Sequence, residues 1–316
     1  MDDGTGTTGG TEGGAGTVRT ATRCGVVALI GAPNAGKSTL VNALVGTKVS
    51  IVTRKVQTTR GLVRGIVLAG DAQVILVDTP GIFAPRRRLD RAMVSTAWSS
   101  AHDADLVACL VDARRGLDEE VRRILLALAD VRVPKVLVLT KVDVTRKERL
   151  LEIAAEANAI VPFDETFMVS ATSGSGLADL SAALARRMPD GPWLFPEDQV
   201  SDLPMRQLAA EVTREHLMNR VHDELPYEAT VETEGWTEQK DGSVRIEQVI
   251  YVARDSQKRI VLGAKGQTVK AISMAARGEI ASMLERPVHL FLFVKVRENW
   301  GDDPERYREM GLEFPR

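Results

Sequence analysis

The chain of 316 residues is short of cysteine, of any excess of charge and of long apolar runs. Its two cysteines, Cys24 and Cys109, match no metal-ligand spacing, and so few thiols suit a reducing compartment better than a disulfide-stapled secreted fold. Cys109 stands inside the apolar run DLVACLVD and reads as a buried, inert thiol. Lysine and arginine number 41 against 43 aspartates and glutamates, a net charge of −2 with a pI near 6.2. That balance excludes a wholly basic nucleic-acid coat but leaves room for a local basic patch. No stretch approaches the roughly 18 consecutive apolar residues of a membrane span. The opening MDDGTGTTGGTEGGAGTVRT carries acid first and no apolar centre, so residues 1–20 read as a disordered Gly/Thr-rich tail rather than a signal peptide. Hydrophobic residues at 44% and charged residues at 27% are ordinary for a folded protein, and the length suggests about two domains at roughly 150 residues each.

Between Val26 and Arg187 short β-branched runs alternate with helical patterns. VVALI (26–30), QVILV (73–77), DLVACLV (105–111), KVLVLT (135–140) and TFMVS (166–170) are nearly continuous in apolar character, as buried parallel strands are. GLVRGIVLAG (61–70) turns into QVILV at Gly70 and Asp71, which predicts an antiparallel pair. LDEEVRRILLALA (117–129) and GLADLSAALARRM (176–188) have helical periodicity. The expectation is an α/β fold with a mostly parallel, doubly wound sheet over 21–188. Prolines at 189, 192, 196 and 204 mark a linker over 189–204. From 205 to 316 the order becomes helix, strand, strand, short helix, Gly-containing loop, helix, strand, a smaller α+β domain. The two parts share no internal repeat.

Gly31, Ala32, Pro33, Asn34, Ala35, Gly36, Lys37, Ser38 and Thr39 follow a strand and open a helix. In such a GxxxxGK[ST] loop the backbone N–H groups wrap a polyphosphate, Lys37 meets the terminal phosphates and the Ser38 hydroxyl ligates Mg²⁺. Asp78, Thr79, Pro80 and Gly81 close the strand QVILV at the carboxyl edge, where open α/β sheets bind ligands. Asp78 would hold Mg²⁺ through water, and the Gly81 N–H would meet the terminal phosphate. Thr140, Lys141, Val142 and Asp143 end the strand KVLVLT. A carboxylate there accepts from guanine N1–H and N2–H₂, donors that adenine lacks, while the Lys141 stem covers the base. Ser170, Ala171 and Thr172 end the last strand, with the Ala171 N–H placed for guanine O6. Between the first two motifs, VTRKVQTTRG (52–61) offers Thr58 and Thr59, either of which supplies a hydroxyl that would ligate Mg²⁺ only with the terminal phosphate in place.

Together these segments resemble the translational GTPases and, more closely, the Era family of bacterial GTPases. GAPNAGKSTLVNALVG, RKVQTTRG, DTPG, TKVD and SAT stand in that family's order, and the likeness extends over nearly the whole chain beyond the tail. The resemblance implies a P-loop G domain binding GTP and GDP with Mg²⁺, with Lys37, Asp78 and Gly81 at the reacting phosphate and Thr59 rather than Thr58 on the metal. Two departures stand out. The family pattern usually has Asn where Thr140 stands, and a hydroxyl offers fewer hydrogen bonds. Ile82 follows DTPG where Ras-like proteins place a water-orienting Gln, and an isoleucine cannot polarise water. Asn34 is a candidate holder of K⁺, as in GTPases that share this asparagine.

In the C-terminal domain Gly263, Ala264, Lys265 and Gly266 form a GxxG loop between two helices, in the element order of a type II KH module. Such a loop admits a nucleic-acid backbone beside a groove for about four unpaired bases. Arg254, Lys258, Arg259, Lys265, Lys270 and Arg277 surround it against a single acid, Asp255. Phe291 and Phe293, on the final strand expected within 287–300, read as core residues. The Era resemblance implies binding to the 3′ end of 16S rRNA and assistance to small (30S) ribosomal subunit maturation, by a cytoplasmic monomer. It also leaves room for peripheral contact with the inner face of the cell membrane. Two other readings compete: an RNA chaperone whose nucleotide is a structural switch, and a GTPase coupled to RNA modification.

Overall fold

Arg23–Ile30 (β1), whose apolar residues alternate between the two faces of a sheet, opens a computed structural model that describes residues 22–222, 225–298 and 303–315. The tail expected over 1–20 lies outside the described residues. The chain continues through Lys37–Val45 (α1), Val63–Ala69 (β2), Ala72–Asp78 (β3), Arg88–Asp103 (α2), Leu106–Asp112 (β4), Glu119–Leu128 (α3), Lys135–Thr140 (β5), Lys147–Ile160 (α4), Glu165–Met168 (β6) and Leu177–Arg186 (α5). The strands lie in the order β2-β3-β1-β4-β5-β6, all parallel except β2, which runs antiparallel to β3. Ile30, Val107, Cys109, Val111, Leu137 and Leu139 face one core with α2, α3 and α4. Val27, Leu29, Val74, Leu76, Leu110, Val136 and Val138 face the other with α1 and α5. Burial pushes the Cys109 thiol up to about 12, so it is inert, as its apolar run predicts. Sequence periodicity leaves α2 and α4 unannounced, because α2 buries mainly small side chains (Ala92, Ala97, Ala101) and α4 only Leu150, Ile153 and Ala157.

Met205–Arg220 (α6), Ala229–Glu238 (β7), Val244–Val252 (β8), Asp255–Leu262 (α7), Gln267–Leu284 (α8) and Val288–Val296 (β9) build the second sheet, in the order β7-β8-β9. Helices α6 and α8 bury one face of it against Ile246, Ile250, Val288 and Val294. Phe291 and Phe293 correct the expectation of core residues: they are 41% and 52% exposed. With a period of two, Val288 and Val294 take the covered face and the phenylalanines take the open one, where Arg245 lies 4.3 Å from the Phe291 ring centroid. Strand β9 spans Val288–Val296, inside the segment 287–300, and Pro304–Glu309 (α9) follows. Tyr307 and Leu312 pack against Leu89, Ala92 and Met93 of α2, a contact between the two halves that composition does not announce.

The Pro-rich segment 189–204 is fastened rather than free. The buried Gln73 amide accepts from the N–H groups of Leu194 (2.9 Å) and Phe195 (3.0 Å) and donates to the Phe195 carbonyl (2.8 Å). Ile66 N–H donates to the Val200 carbonyl at 2.9 Å, which lays the segment along the edge strand β2. Among the described residues no helix is long and apolar enough to cross a membrane.

Candidate functional site

The carboxyl ends of β1, β3, β4, β5 and β6 bring GAPNAGKS, DTPG, Asp112, TKVD and SAT to one edge of the sheet, where the strand order reverses around β1. Lys37 is buried and its ammonium folds back on the loop, donating to the carbonyls of Gly31 (2.9 Å) and Ala32 (3.1 Å). Burial lowers its pKa to about 8, against the pull of Asp78. Thr39 lies half-buried in the first turn of α1. Gly81 passes so close to the phosphate loop that a Cβ there would meet Pro33 at 2.9 Å. Thr79 donates to the Leu29 carbonyl at 2.6 Å, and Pro80 is buried beside it. The Ile82 N–H donates to the Gly31 carbonyl at 3.1 Å while its side chain joins the core, so no water-orienting group follows DTPG.

Three oxygens converge at Asp78. Ser38 Oγ donates to Asp78 Oδ2 at 2.6 Å, Thr59 Oγ1 to the same oxygen at 3.2 Å, and Ser38 and Thr59 are 2.9 Å apart. Ser50 adds a third hydroxyl, at 2.7 Å from the same oxygen. Thr58 turns back on its own loop, to the Lys55 carbonyl at 2.8 Å and Thr53 at 2.6 Å. Asp78 Oδ1 is buried and accepts no hydrogen bond among the described residues. Burial raises the Asp78 pKa, with the Ser38 and Ser50 hydrogen bonds and the Lys37 charge opposing it. A divalent cation fits this centre: it would satisfy the orphaned oxygen and offset the desolvated charge, and hard oxygen donors of this kind suit Mg²⁺, which leaves phosphate and water to complete the shell. The described residues contain no group of three or more His, Cys, Asp or Glu that would hold a metal by themselves.

On the base side Thr140 Oγ1 reaches the carbonyls of Ala35 (2.7 Å) and Val111 (3.2 Å), so the hydroxyl does tie the loops. Lys141 Nζ donates to the Asn34 carbonyl at 2.7 Å. Asp143 is exposed on the short turn Val142–Val144, and Val142 N–H donates to the Val169 carbonyl at 3.4 Å, next to Ser170, Ala171 and Thr172. Asn34, with φ 62°, donates from Nδ2 to the Arg54 carbonyl at 3.1 Å, which joins the phosphate loop to the segment 52–61.

In the second domain Gly263 and Gly266 have φ of 71° and 76°, and a Cβ at Gly263 would meet Thr268 Oγ1 at 2.1 Å. Both glycines are therefore required by the turn itself. Ala264 and Lys265 stand exposed at its tip, with Arg254, Arg259, Lys270 and Arg277 exposed and Lys258 half-buried on α7 and α8. Lys270, Met274 and Arg277 share one face of α8 at helical spacing.

A family model described as 50S ribosome-binding GTPase matches residues 26–141, and one described as KH domain matches 224–301. A relative named GTPase Era from Brucella suis biovar 1 is 66% identical over 315 residues, 100% of each chain. Another GTPase Era, from Rhizobium meliloti, is 66% identical over 295 residues, 93% of this chain and 94% of its own. The chain belongs to the Era family of GTPases. A solved Era structure in complex with MgGDPNP and nucleotides 1506–1542 of 16S ribosomal RNA superposes on this Era-family chain with a TM-score of 0.85 at 36% identity, covering 92% of this chain and 99% of that one. So does an Aquifex aeolicus Era variant bound to GDP·AlF4⁻, with the same score, identity and coverage.

Sequence motifs leave several residues of this Era-family site unmarked. Asp112 closes β4 at the same edge as Asp78, a signal of the kind that singles out DTPG. Ile260 and Met274 are large apolar side chains, 57% and 56% exposed, on the two helices flanking the GxxG loop. The contacts between the segment 52–61 and the KH half are invisible in any local pattern. Arg60 donates to the carbonyls of Ala229 and Pro226 at 2.8 Å each, and Arg214 Nη2 donates to the Thr58 carbonyl at 2.5 Å. Lys55 bonds the Val221 carbonyl, and Lys48 pairs with both Glu215 and Glu279. Burial, then the charge of Arg214, lowers the Arg60 pKa, while Glu211 and Asp90 act the other way. Arg60 and Arg214 line a cavity of about 650 Å³ between the halves, with Thr59, Glu211 and Glu232.

Proposed function

We propose that this chain is a Mg²⁺-dependent GTPase switch whose KH domain binds the 3′ end of 16S rRNA and assists small ribosomal subunit assembly. The observation that carries the reading is the shared segment 52–61. Thr59 sits at the Asp78 centre while its neighbours, the Thr58 carbonyl and the Arg60 side chain, are held by the KH half. Any change in Thr59 on exchange of GTP for GDP therefore acts on the RNA-binding domain through adjacent residues. The relative's complex with MgGDPNP and 16S rRNA supports the small-subunit partner. The family model that names the 50S subunit matches only part of the G domain, 26–141, and is silent on the KH half. In this reading the protein works as a monomer in the cytoplasm.

In this reading Ser38, Thr59 and Asp78 hold Mg²⁺, which when bound neutralises phosphate charge. Lys37 and the Gly81 N–H meet the terminal phosphate, and Asp143 with Ala171 selects guanine. With Ile82 in the core, transition-state charge falls to Lys37, backbone N–H groups and a further cation. Asn34 Oδ1 would be a ligand of K⁺, with the Arg54 carbonyl, which here accepts from Asn34 Nδ2, as a neighbouring oxygen. Replacing K⁺ by Na⁺ at fixed ionic strength is expected to slow GTP turnover severalfold, and an unchanged rate removes K⁺ from the mechanism.

A ligand shifts an equilibrium only through differential affinity for its states. Affinity for single-stranded RNA, measured with a non-hydrolysable GTP analogue, with GDP and without nucleotide, is expected to be highest with the analogue, by roughly 5- to 100-fold. Reciprocity requires RNA to tighten analogue binding by the same factor. Three equal RNA affinities would leave the domains tethered but uncoupled. Absence of turnover with and without RNA would favour the chaperone reading instead.

A further inference from the structure

Asp112 is 4% exposed at the end of β4 and is paired in register with Thr140 of β5. Its Oδ2 accepts from Lys141 Nζ at 2.6 Å and from Arg114 Nη2 at 3.0 Å, while Oδ1 accepts from the Arg114 backbone N–H at 3.0 Å and Nε at 3.2 Å. The same Lys141 ammonium donates to the Asn34 carbonyl of the phosphate loop. One carboxylate thus joins three loops: the β4 exit directly, the TKVD segment through Lys141, and the phosphate loop through the second bond of that ammonium. Lys141 itself sits in the left-handed region at φ 59°, a conformation a lysine keeps only when its surroundings hold it there.

Thr140 cannot make this tie alone. Its hydroxyl has one hydrogen for two carbonyls, those of Ala35 and Val111, so it contributes a single neutral bond at a time. The Asp112–Lys141 bond is charge-assisted at both ends and therefore the stronger link. Burial would raise the Asp112 pKa, but the bonds from Arg114 and Lys141 outweigh it and hold the carboxyl below its ordinary range.

We infer that Asp112 is a positioning residue of the guanine site: it holds the Lys141 ammonium against the phosphate loop and so lays the aliphatic stem of Lys141 where the face of the base will rest. The inference rests on the reading of Lys141 as the cover of the base. Without Asp112 the lysine is a solvated chain with many rotamers, and its ordering cost falls on nucleotide binding.

Dissociation of fluorescent GDP from the full chain, in the wild type, Asp112→Asn, Lys141→Ala and the double variant, tests this. Each single variant is expected to bind GDP about tenfold more weakly, through faster release, and the double variant to be no weaker than Lys141→Ala alone. Competition by inorganic tripolyphosphate, which occupies the phosphate loop and has no base, is expected to be the same for Asp112→Asn and the wild type. Weakened tripolyphosphate binding would show a collapsed loop instead and overturn the positioning role. So would an Asp112→Asn affinity within about twofold of wild type, or an equal loss repeated in the Lys141→Ala background. A Lys141→Ala variant that binds GDP like the wild type would overturn the base-cover reading itself, whatever Asp112→Asn does.

Discussion

Asp143→Asn is expected to cost the chain roughly 10- to 10³-fold in GTP and GDP affinity, from the loss of one hydrogen bond to a charged acceptor at about 1.5–3 kcal/mol and the weakening of the other. The variant is also expected to prefer xanthine nucleotides. Guanine presents two donors, N1–H and N2–H₂, to the carboxylate; an asparagine retains one acceptor and turns its NH₂ group against the other donor. Xanthine carries a carbonyl at C2, which accepts from that new amide. The residue stands exposed on the turn Val142–Val144, outside both cores, so the substitution spares the fold and the change is confined to binding. Competition of GDP, XDP and ADP against fluorescent GDP measures it. Equal affinity of the wild type for guanine and adenine nucleotides, or an Asp143→Asn variant that keeps GDP affinity, would remove Asp143 from base selection.

Replacing Ala264 and Lys265 together with aspartate is expected to weaken RNA binding by about 100-fold or more while GTP binding stays unchanged. The change turns one positive loop charge into two negative ones at the loop proposed to meet the RNA backbone, and phosphate contacts dominate affinity for nucleic acid. Folding is not at stake, because both side chains are exposed and aspartate tolerates the left-handed conformation of Lys265, at φ 50°. Fluorescence anisotropy with a single-stranded oligonucleotide matching the 3′ end of 16S rRNA, at two salt concentrations, reads the effect. The residual binding of the variant should also depend less steeply on salt, since fewer counterions are released. Retention of wild-type affinity would place the RNA elsewhere on the KH half.

Motif residues were legible because their geometry is local. A GxxxxGK[ST] segment between an apolar run and a helical pattern can fold in few ways, and DTPG, TKVD and SAT each end a strand whose neighbours the alternating order had already implied. The same holds for the GxxG loop, where positive φ at Gly263 and Gly266 leaves only glycine at ease. Choice between Thr58 and Thr59 was of a different kind. Both carry the same hydroxyl, and adjacent positions point differently only once the backbone of 52–61 is placed; the structure puts Thr59 on Asp78 and Thr58 on the Lys55 carbonyl.

Phe291 and Phe293 show where residue type misleads. Their aromatic character argued for a core, but β9 has helices on one side only, and alternation sends Val288 and Val294 inward and the two phenylalanines out. The prolines of 189–204 misled in the opposite sense. They break regular structure, as read, yet Gln73 and β2 fasten the segment through partners more than 120 positions away.

By itself the sequence determined the α/β class, the order of the strands in both halves, the GAPNAGKS, DTPG, TKVD and SAT segments at strand ends and the GxxG loop, since each depends on residues close together in the chain. Tertiary structure alone decided that Arg214 holds the Thr58 carbonyl from 156 positions away, that Arg60 is buried in the KH half, that the chain after α9 packs on α2, and that Asp112 meets Lys141. The physical reason is the same in each case. A backbone loop shapes its own site, whereas a contact between domains or between strand ends exists only after two distant surfaces have been brought together, and no periodicity or spacing along the chain encodes which surfaces those are.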